Sequence, residues 1–264
     1  MTTRDAHLEP NSWRPRFALD TLPFVRVSEY GPTPRGQVAL VETAQLDAAM
    51  DNASSVLHPQ ELALADALPV ARRTLFISGR VALRAAIDRV DHSASSSALL
   101  RNARGAPTIP PGLIGSISHK RTTAVAIVVP GPTANGERAT IGIDIEERAH
   151  VRPRVHDIAS RIMTDAELRM LPNDSQARQE TVLLFFAMKE AIYKAIDPYV
   201  ERHVRFKEVE VEVEAHVSLS NDTGEGMVTL HLPEFQRSSP TVTVHWWKDD
   251  NHLFAIARSS RHLG

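Results

Sequence analysis

The clearest pattern in the chain is an alternation of apolar and polar positions in residues 140–146. Isoleucines occupy positions 141, 143 and 145, and the polar side of the repeat carries Gly142, Asp144 and Glu146. A period of two predicts a β-strand with the isoleucines on one face and both carboxylates on the other, about 6–7 Å apart. Neighbouring carboxylates repel unless a cation or proton lies between them, and hard oxygen ligands suit Mg²⁺. The strand therefore predicts a divalent metal site, with a solvated strand face as the alternative.

A second pattern, with apolar residues three and four positions apart, predicts an amphipathic helix over residues 179–196. Lys189, Glu190 and Lys194 interrupt its apolar stripe, and Glu190 and Lys194 are one turn apart on one face. On their own they would form a surface ion pair of little energetic value. Beside the two strand carboxylates, Glu190 would instead complete a set of oxygen ligands for Mg²⁺, and the lysines would face phosphates.

The remaining periodicity predicts further elements on both sides of these motifs. Thr164 and Glu167 form a capping box that opens a short helix. Other helices are predicted over residues 58–74 and 78–90, a loop around 91–97, and strands over 122–129, 139–146, 209–213, 227–232, 241–247 and 253–257. The chain thus reads as α+β.

A loop entering a strand carries the third motif, Gly-Ser-Ile-Ser-His-Lys at residues 115–120. Ser118, His119 and Lys120 can all donate hydrogen bonds to a phosphate. The Ser-His pair also raises the possibility of a hydrolase. No G-x-S-x-G elbow is present, however, and adjacent strand residues point to opposite faces, so Ser118 and His119 do not pair as nucleophile and base.

Charge is distributed unevenly along the chain. The net charge is −2 and the pI is about 6.6. Residues 72–121 nevertheless carry nine basic side chains against Asp88 and Asp91, so this segment is suited to a polyanion. Because aromatic residues make up only 5% of the chain, a small polyphosphate fits the segment better than nucleic acid does.

Composition bounds the class of protein. With 264 residues and 42% hydrophobic content, the chain can form one large domain or two small ones. The Pro- and Gly-rich segment 130–136 favours two. Zero cysteines exclude disulfides, thiolate catalysis and Cys-based zinc sites. The N-terminus lacks an apolar signal region and the longest aliphatic run has six residues, so we expect a soluble, cytoplasmic protein without membrane insertion.

Together these motifs resemble a known family. Residues 115–119, 142–146 and 186–195, in this order and spacing, are similar to the three signature motifs of the large single-chain 4′-phosphopantetheinyl transferases, typified by the surfactin-type and enterobactin-type enzymes. Residues 71–80 resemble the basic helix of that family, and residues 104–112 resemble its loop before the histidine motif.

The resemblance implies a fold and an activity. The fold would be α+β, with two similar halves related by a pseudo-twofold axis: residues 1–135 on the nucleotide-binding side and residues 136–264 with the metal-binding and catalytic motifs. The enzyme would transfer the phosphopantetheine arm of coenzyme A to a serine of an apo acyl or peptidyl carrier protein, releasing adenosine 3′,5′-bisphosphate. It would need Mg²⁺, with Mn²⁺ as a substitute, and would act as a monomer without nucleic acid.

The resemblance also implies residue roles. Asp144, Glu146 and Glu190 would hold Mg²⁺, with Glu190 also the first candidate for general base. Lys189 and Lys194 would neutralise the phosphates, and Lys194 would act in catalysis.

A further set would bind the 3′-phosphate of the nucleotide: Ser118, His119, Arg72, Arg80 and Arg101. Ala106 departs from the family pattern, because some members carry a lysine there, and Arg101 or Arg104 would substitute for it.

Partner and rival functions complete the expectations. Residues 148–163 carry basic and apolar side chains that would receive a carrier protein, with an ordinary solvated loop and helix as the alternative. The rival functions are a Mg²⁺-dependent phosphodiesterase or nuclease built on the same three acids, and a nucleotide-binding module without catalysis.

Overall fold

The chain folds into two antiparallel sheets, each backed by one long helix. The structure is a computed structural model that describes residues 19, 22–30, 36–43, 55–132, 137–148, 155–213, 219–235 and 239–262. Both sheets carry helices on one face, so the predicted α+β class is confirmed.

The first sheet has four strands in the order β1-β2-β4-β3, and the second has five in the order β5-β9-β8-β7-β6. The strands are β1 (Val25–Tyr30), β2 (Gly36–Glu42), β3 (Leu113–His119), β4 (Thr123–Pro130), β5 (Glu137–Glu147), β6 (Val209–Val213), β7 (Thr223–Leu230), β8 (Thr241–Lys248) and β9 (His252–His262). All pairings are antiparallel.

Two of the helices are long, and the others are short connectors. The helices are α1 (Pro59–Asp66), α2 (Val70–Val90), α3 (Val155–Ile162), α4 (Asp165–Leu168) and α5 (Ser175–Val200). Asp174 caps the start of α5 by accepting from the Ala177 amide, and the residue after its last turn, Glu201, has a left-handed backbone with φ of 53°. The predicted capping box at Thr164 and Glu167 is confirmed at the start of α4.

The core is arranged as helix, sheet, sheet, helix. Alternate residues of β4 and β5 meet in a central apolar layer that includes Ile127 and Ile143. The opposite face of the first sheet packs on α2, and that of the second packs on α5. The β5 isoleucines therefore lie in the layer between the sheets, while Asp144 and Glu146 face α5, as the period of two predicts.

The halves share part of their topology, although one sheet has four strands and the other five. In the first half, β2 precedes the long helix and pairs with the last strand, β4, which also pairs with β3. In the second half, β5 precedes the long helix and pairs with the last strand, β9, which also pairs with β8. The change of sheet falls between Pro130 and Glu137, and residues 133–136 lie outside the described part. The boundary at residues 135 and 136 stays a prediction.

Two predicted boundaries differ from the structure. The predicted helices over 58–74 and 78–90 are instead separated at Pro69, whose ring cannot continue α1 and which stands directly before α2. Gly79 lies inside α2, where the helix approaches Ile117 of β3. The predicted loop at 91–97 is a 3₁₀ helix, His92–Ser96, capped by Asp91. Within the described ranges, no helix is long and apolar enough to cross a membrane.

Candidate active site

A cleft of about 650 Å³ lies between the two halves. The first half lines it with α2, β3 and the loop around residues 101–107, and the second half lines it with the start of β5 and the end of α5. The basic and imidazole side chains along the cleft are Arg80, Arg101, Arg104, His119, Arg138 and Lys194. The cleft is therefore suited to a ligand with several phosphates.

The contact between β5 and α5 places the acidic residues beside this cleft. A Cβ added at Gly142 would lie 2.0 Å from the Ala191 carbonyl oxygen and 2.8 Å from the Ala195 amide nitrogen. Only glycine lets the helix lie so close to the strand. This close contact brings Lys194 and Glu190 over Asp144 and Glu146.

Asp144 is the centre of the acidic cluster. It is 3% exposed, and its Oδ1 accepts from Ser118 Oγ at 2.6 Å and from Lys194 Nζ at 2.8 Å. Lys194 Nζ also donates to the Ile143 carbonyl at 2.9 Å. The second oxygen, Oδ2, is buried and has no hydrogen-bond partner among the described residues. A buried carboxylate oxygen without a partner indicates that a ligand is meant to satisfy it.

Glu146 has a different cation beside it. Lys120 Nζ lies 2.6 Å from Glu146 Oε1 and 5.7 Å from the centroid of the Phe186 ring. Burial, followed by the charge of Asp144, raises the pKa of Glu146 to about 7. The same two causes raise the pKa of Glu190. Asp144 thus acts electrostatically on both glutamates, and Glu190 also acts on Glu146.

The chemistry of this cluster fits a hard divalent cation, since its donors are carboxylate oxygens and one of them is buried without a partner. Among the described residues, however, no three acidic or imidazole side chains are already arranged as a metal-ligand set. Ammonium groups stand beside two of the carboxylates instead. Asp144, Glu146 and Glu190 therefore supply suitable donors that would have to draw together around a cation.

Comparison with known proteins decides the family. The model of the 4'-phosphopantetheinyl transferase superfamily matches residues 140–257, and that of the 4'-phosphopantetheinyl transferase N-terminal domain matches residues 58–129. The 4'-phosphopantetheinyl transferase Svp of Streptomyces mobaraensis is 31% identical over 67% of this chain and 68% of its own length. The chain belongs to the 4′-phosphopantetheinyl transferase family.

Two further relatives found by sequence agree with this assignment, and one solved structure is also similar. The 4'-phosphopantetheinyl transferase Npt of Nocardia iowensis is 33% identical over 66% of this chain and 72% of its own. Enterobactin synthase component D of Salmonella typhimurium is 30% identical over 57% of each chain. A solved holo-(acyl-carrier-protein) synthase from Bacillus anthracis, in complex with CoA (3',5'-ADP), is 24% identical, with a TM-score of 0.33 over 36% of this chain and 93% of that one.

In this phosphopantetheinyl transferase, Lys189 does not face the cleft. It is 2% exposed, and its Nζ lies 2.7 Å from Glu167 Oε2 and donates to the Phe206 and Val209 carbonyls at 3.0 and 2.8 Å. The prediction that it meets the phosphates is therefore wrong. Lys189 and Lys194 are five residues apart on α5, so their side chains differ in direction by about 140° around the helix axis. Lys189 therefore points to β6, whereas Lys194 points to β5.

The predicted arginines occupy three different environments. Arg80 is 4% exposed and donates to the Leu99 carbonyl at 2.5 Å and the Leu100 carbonyl at 3.3 Å, so it lines the cleft from a buried position. Arg101 lies over the Phe76 ring, 5.0 Å from its centroid, and is exposed to the cleft. Arg72 is exposed and does not line the cleft, so the structure does not bring it to the other candidate phosphate ligands.

Arg104 bridges the two halves across the cleft. Its Nε donates to Asp197 Oδ2 at 2.8 Å, and its NH1 donates to the Glu201 carbonyl at 2.9 Å. Glu201 is the residue with the left-handed backbone at the end of α5. Ala106, on the same loop as Arg104, also lines the cleft, so the lysine that some members carry there is replaced by a small side chain beside a bridging arginine.

Ser118 and His119 both line the cleft. His119 is exposed, whereas the Ser118 hydroxyl is held by Asp144. The predicted carrier surface is described only in part: residues 149–154 lie outside the described residues, and Arg148 pairs with Glu180 at 3.1 Å.

Sequence reasoning missed several residues of the site. Tyr193 and Asp197 follow Glu190 by three and seven positions, which is the spacing of one helix face, and both line the cleft. Arg138 has the same strand parity as Asp144 and also lines it. The helix and strand spacing could therefore have predicted these three residues. The pairing of Lys120 with Glu146 could not be predicted in this way, because it depends on how the two sheets pack.

Proposed function

We propose that this protein transfers the 4′-phosphopantetheine arm of coenzyme A to a serine of an apo acyl or peptidyl carrier protein, with release of adenosine 3′,5′-bisphosphate. The observation that carries the proposal is a carboxylate cluster around a buried, unpaired Asp144 oxygen. Ser118 and Lys194, which bond to Asp144, line the basic cleft between the halves of a 4′-phosphopantetheinyl transferase.

The cleft suits coenzyme A in size and charge. Its volume of about 650 Å³ is within the range of small-molecule sites. Arg101 and His119 are the proposed ligands of the 3′-phosphate, because both are exposed on the first half. Lys194 is the proposed partner of the pyrophosphate, since it lines the cleft and bonds to Asp144 at the same time.

Asp144, Glu146 and Glu190 are the proposed ligands of Mg²⁺, with Mn²⁺ as a substitute. A divalent ion bound there would supply electrostatic stabilisation of the charge that develops on the pyrophosphate. The unpaired Oδ2 of Asp144 supports this assignment.

The proposed reaction is a substitution at phosphorus. The carrier serine oxygen forms a bond to the phosphorus nearest the pantetheine, and the bond from that phosphorus to the bridging oxygen breaks with its electron pair leaving on the bisphosphate. The hydroxyl proton passes to Glu190, directly or through a water. Glu190 is half-buried, and its raised pKa makes it a better base near neutral pH than an exposed carboxylate. Lys194 stabilises the departing negative charge.

A single chain is the proposed active unit, because both walls of the cleft come from one polypeptide. We propose carrier proteins of fatty-acid, polyketide or nonribosomal-peptide synthesis, siderophore synthesis included, as acceptors. Similarity to a protein named Enterobactin synthase component D supports the last class.

Intact mass spectrometry of an apo carrier protein tests the proposal. The carrier would be incubated with this protein, coenzyme A and Mg²⁺, in parallel with Asp144→Ala and Glu190→Gln. The expected result is a gain of about 340 Da, the mass of one transferred arm, that both substitutions abolish. Arg26→Gln, which removes an exposed ion pair in the first half, should keep the gain. No gain on several unrelated carriers, or hydrolysis of coenzyme A without an acceptor, would contradict the proposal.

A further inference from the structure

Two lysines serve the carboxylate cluster, and they are held differently. Lys194 bonds to Asp144 and also to the Ile143 carbonyl, so its ammonium has two fixed acceptors. The Lys120 ammonium has Glu146 as its close anionic partner, and 32% of the Lys120 side chain is exposed. Of the two, the Lys120 ammonium alone can leave its ion pair for solvent without giving up a hydrogen bond to the protein backbone.

The backbone beneath Lys120 is anchored, so a change at this point is confined to the side chain. The Lys120 amide donates to the Thr123 carbonyl at 2.8 Å, in the turn that joins β3 to β4. The ammonium lies 5.7 Å from the centroid of the Phe186 ring on α5. The side chain can rotate about this base while the turn keeps its place.

The cluster has more negatively charged than positively charged groups, so it can accept one more cation. Three carboxylates face two ammonium groups, and the buried Oδ2 of Asp144 has no protein partner within the described ranges. A divalent cation placed among the carboxylates would neutralise them. It would also repel a lysine that remained 2.6 Å from Glu146.

We propose that Lys120 is a built-in counter-ion of the metal site: it holds Glu146 in the metal-free protein, is displaced from that carboxylate by the divalent cation, and thereby lowers the affinity of the site for that cation. This inference rests on the proposed binding of a cation by Asp144, Glu146 and Glu190. Lys120 is accordingly a positioning residue for Glu146.

The test is a titration of the metal-free full chain with Mn²⁺ alone, followed by electron paramagnetic resonance of free Mn²⁺. Lys120→Gln should bind Mn²⁺ about tenfold more tightly than the wild type, because no ammonium then competes with the ion for Glu146. Lys120→Arg keeps the charge and should stay near the wild-type affinity. Arg26→Gln removes an ion pair of similar length, 2.7 Å, far from the cleft and should also match the wild type.

A double-mutant comparison separates this role from a general charge effect. In a Glu146→Gln background, Lys120→Gln should change Mn²⁺ affinity much less, because Lys120 no longer holds the carboxylate. Circular dichroism checks each variant for folding. Lys120→Met, which keeps an unbranched side chain without the charge, replaces Lys120→Gln if the latter does not fold. Equal or weaker Mn²⁺ binding by the charge-free variant would overturn the inference.

The failure of this inference can be told from failure of the proposed function. Wild-type protein from the same preparation is assayed for a mass gain on an apo carrier protein with coenzyme A and Mn²⁺. Transfer by the wild type together with unchanged Mn²⁺ affinity in Lys120→Gln would refute the role of Lys120 alone. Absence of both transfer and Mn²⁺ binding in the wild type would refute the metal site and the role of Lys120 together.

Discussion

Helix α5 carries a buried charge cluster on each side, and the two clusters differ in how well they are satisfied. Toward β6, the Glu167 carboxylate accepts from the Val211 and Thr164 amides at 2.8 and 2.7 Å and pairs with Lys189, which also donates to two carbonyls. Toward β5, Asp144 is equally buried, but its Oδ2 has no partner in the part of the chain that the structure describes.

The difference distinguishes buried charges that stabilise the fold from buried charges that are suited to bind a ligand. A cluster in which every group has a partner holds elements together, and the pair of Glu167 with Lys189 ties α4, α5 and β6. A cluster with an unpaired oxygen and raised carboxyl pKa values is suited to a ligand instead. The same helix thus provides structural support on one side and a candidate catalytic site on the other.

The largest expected effect comes from removing one lysine on each side of α5. Lys189→Met should lower the free energy of unfolding by about 3–5 kcal/mol, because it leaves Glu167 charged and buried without its cation. Lys194→Met should cost much less stability, since its side chain is 26% exposed, but should weaken coenzyme A binding and transfer. Urea unfolding and carrier mass gain measure the two effects. Equal losses of stability in the two variants would contradict the comparison.

The free energy of unfolding should depend on pH because of the carboxylate cluster between α5 and β5. The folded protein raises the Glu146 pKa from 4.5 to about 7, so it holds that proton more tightly than the unfolded chain does. The resulting stabilisation is complete below about pH 4.5 and is lost as pH rises through about 7, a change on the order of 3 kcal/mol. Urea unfolding in EDTA should show this decline for the wild type and a flatter profile for Glu146→Gln. A parallel decline in the variant would count against the assignment.

The close contact of β5 with α5 should be sensitive to one methyl group. Gly142→Ala places a Cβ 2.0 Å from the Ala191 carbonyl oxygen, so the helix must move away from the strand. We expect a loss of about 1–3 kcal/mol in unfolding free energy and loss of transfer. Gly79→Ala is the matched change in α2, where the nearest atom would be 3.6 Å away, and should be neutral or stabilising. Unchanged stability of Gly142→Ala would show that this contact is looser than described.

A smaller effect is expected on coenzyme A affinity, which should depend on an arginine inside the cleft more than on one outside it. Arg101→Ala should weaken coenzyme A binding about tenfold, as expected when one charge-assisted contact to a phosphate is lost. Arg72→Ala should change it less than about twofold, because Arg72 lies outside the cleft lining. Isothermal titration calorimetry measures both affinities, and similar losses would extend the binding surface beyond the cleft.

Local periodicity predicted much of the fold. The facing of Asp144 and Glu146 away from the isoleucines follows from the geometry of one strand, and the face shared by Glu190 and Lys194 follows from one helix. The predicted strand over 227–232 instead begins at Thr223, because Gly224 packs under the Trp246 ring, and this cross-strand contact is not readable from the local pattern.

The contacts of the candidate site were less predictable than the fold, because they depend on which strand each helix side chain packs against. Lys189 is adjacent to Glu190 in sequence, and this position predicts a contact with the phosphates, but the helical turn directs its side chain to Glu167. No local pattern identified Glu167 as its partner, since the capping box already accounted for that glutamate. Arg80 likewise matched a basic motif, but burial of its guanidinium against two carbonyls depends on the packing of residues 99 and 100.

The most direct test of the central claim is an anomalous diffraction map of crystals grown with Mn²⁺ and coenzyme A. We predict a Mn²⁺ peak within coordination distance of Asp144 Oδ2, with Glu146 and Glu190 drawn toward it and the pyrophosphate beside Lys194. The Glu167 and Lys189 pair should be unchanged. Coenzyme A bound in the cleft with no anomalous peak at Asp144, or a peak elsewhere, would contradict the claim that the unpaired side of α5 is the catalytic site.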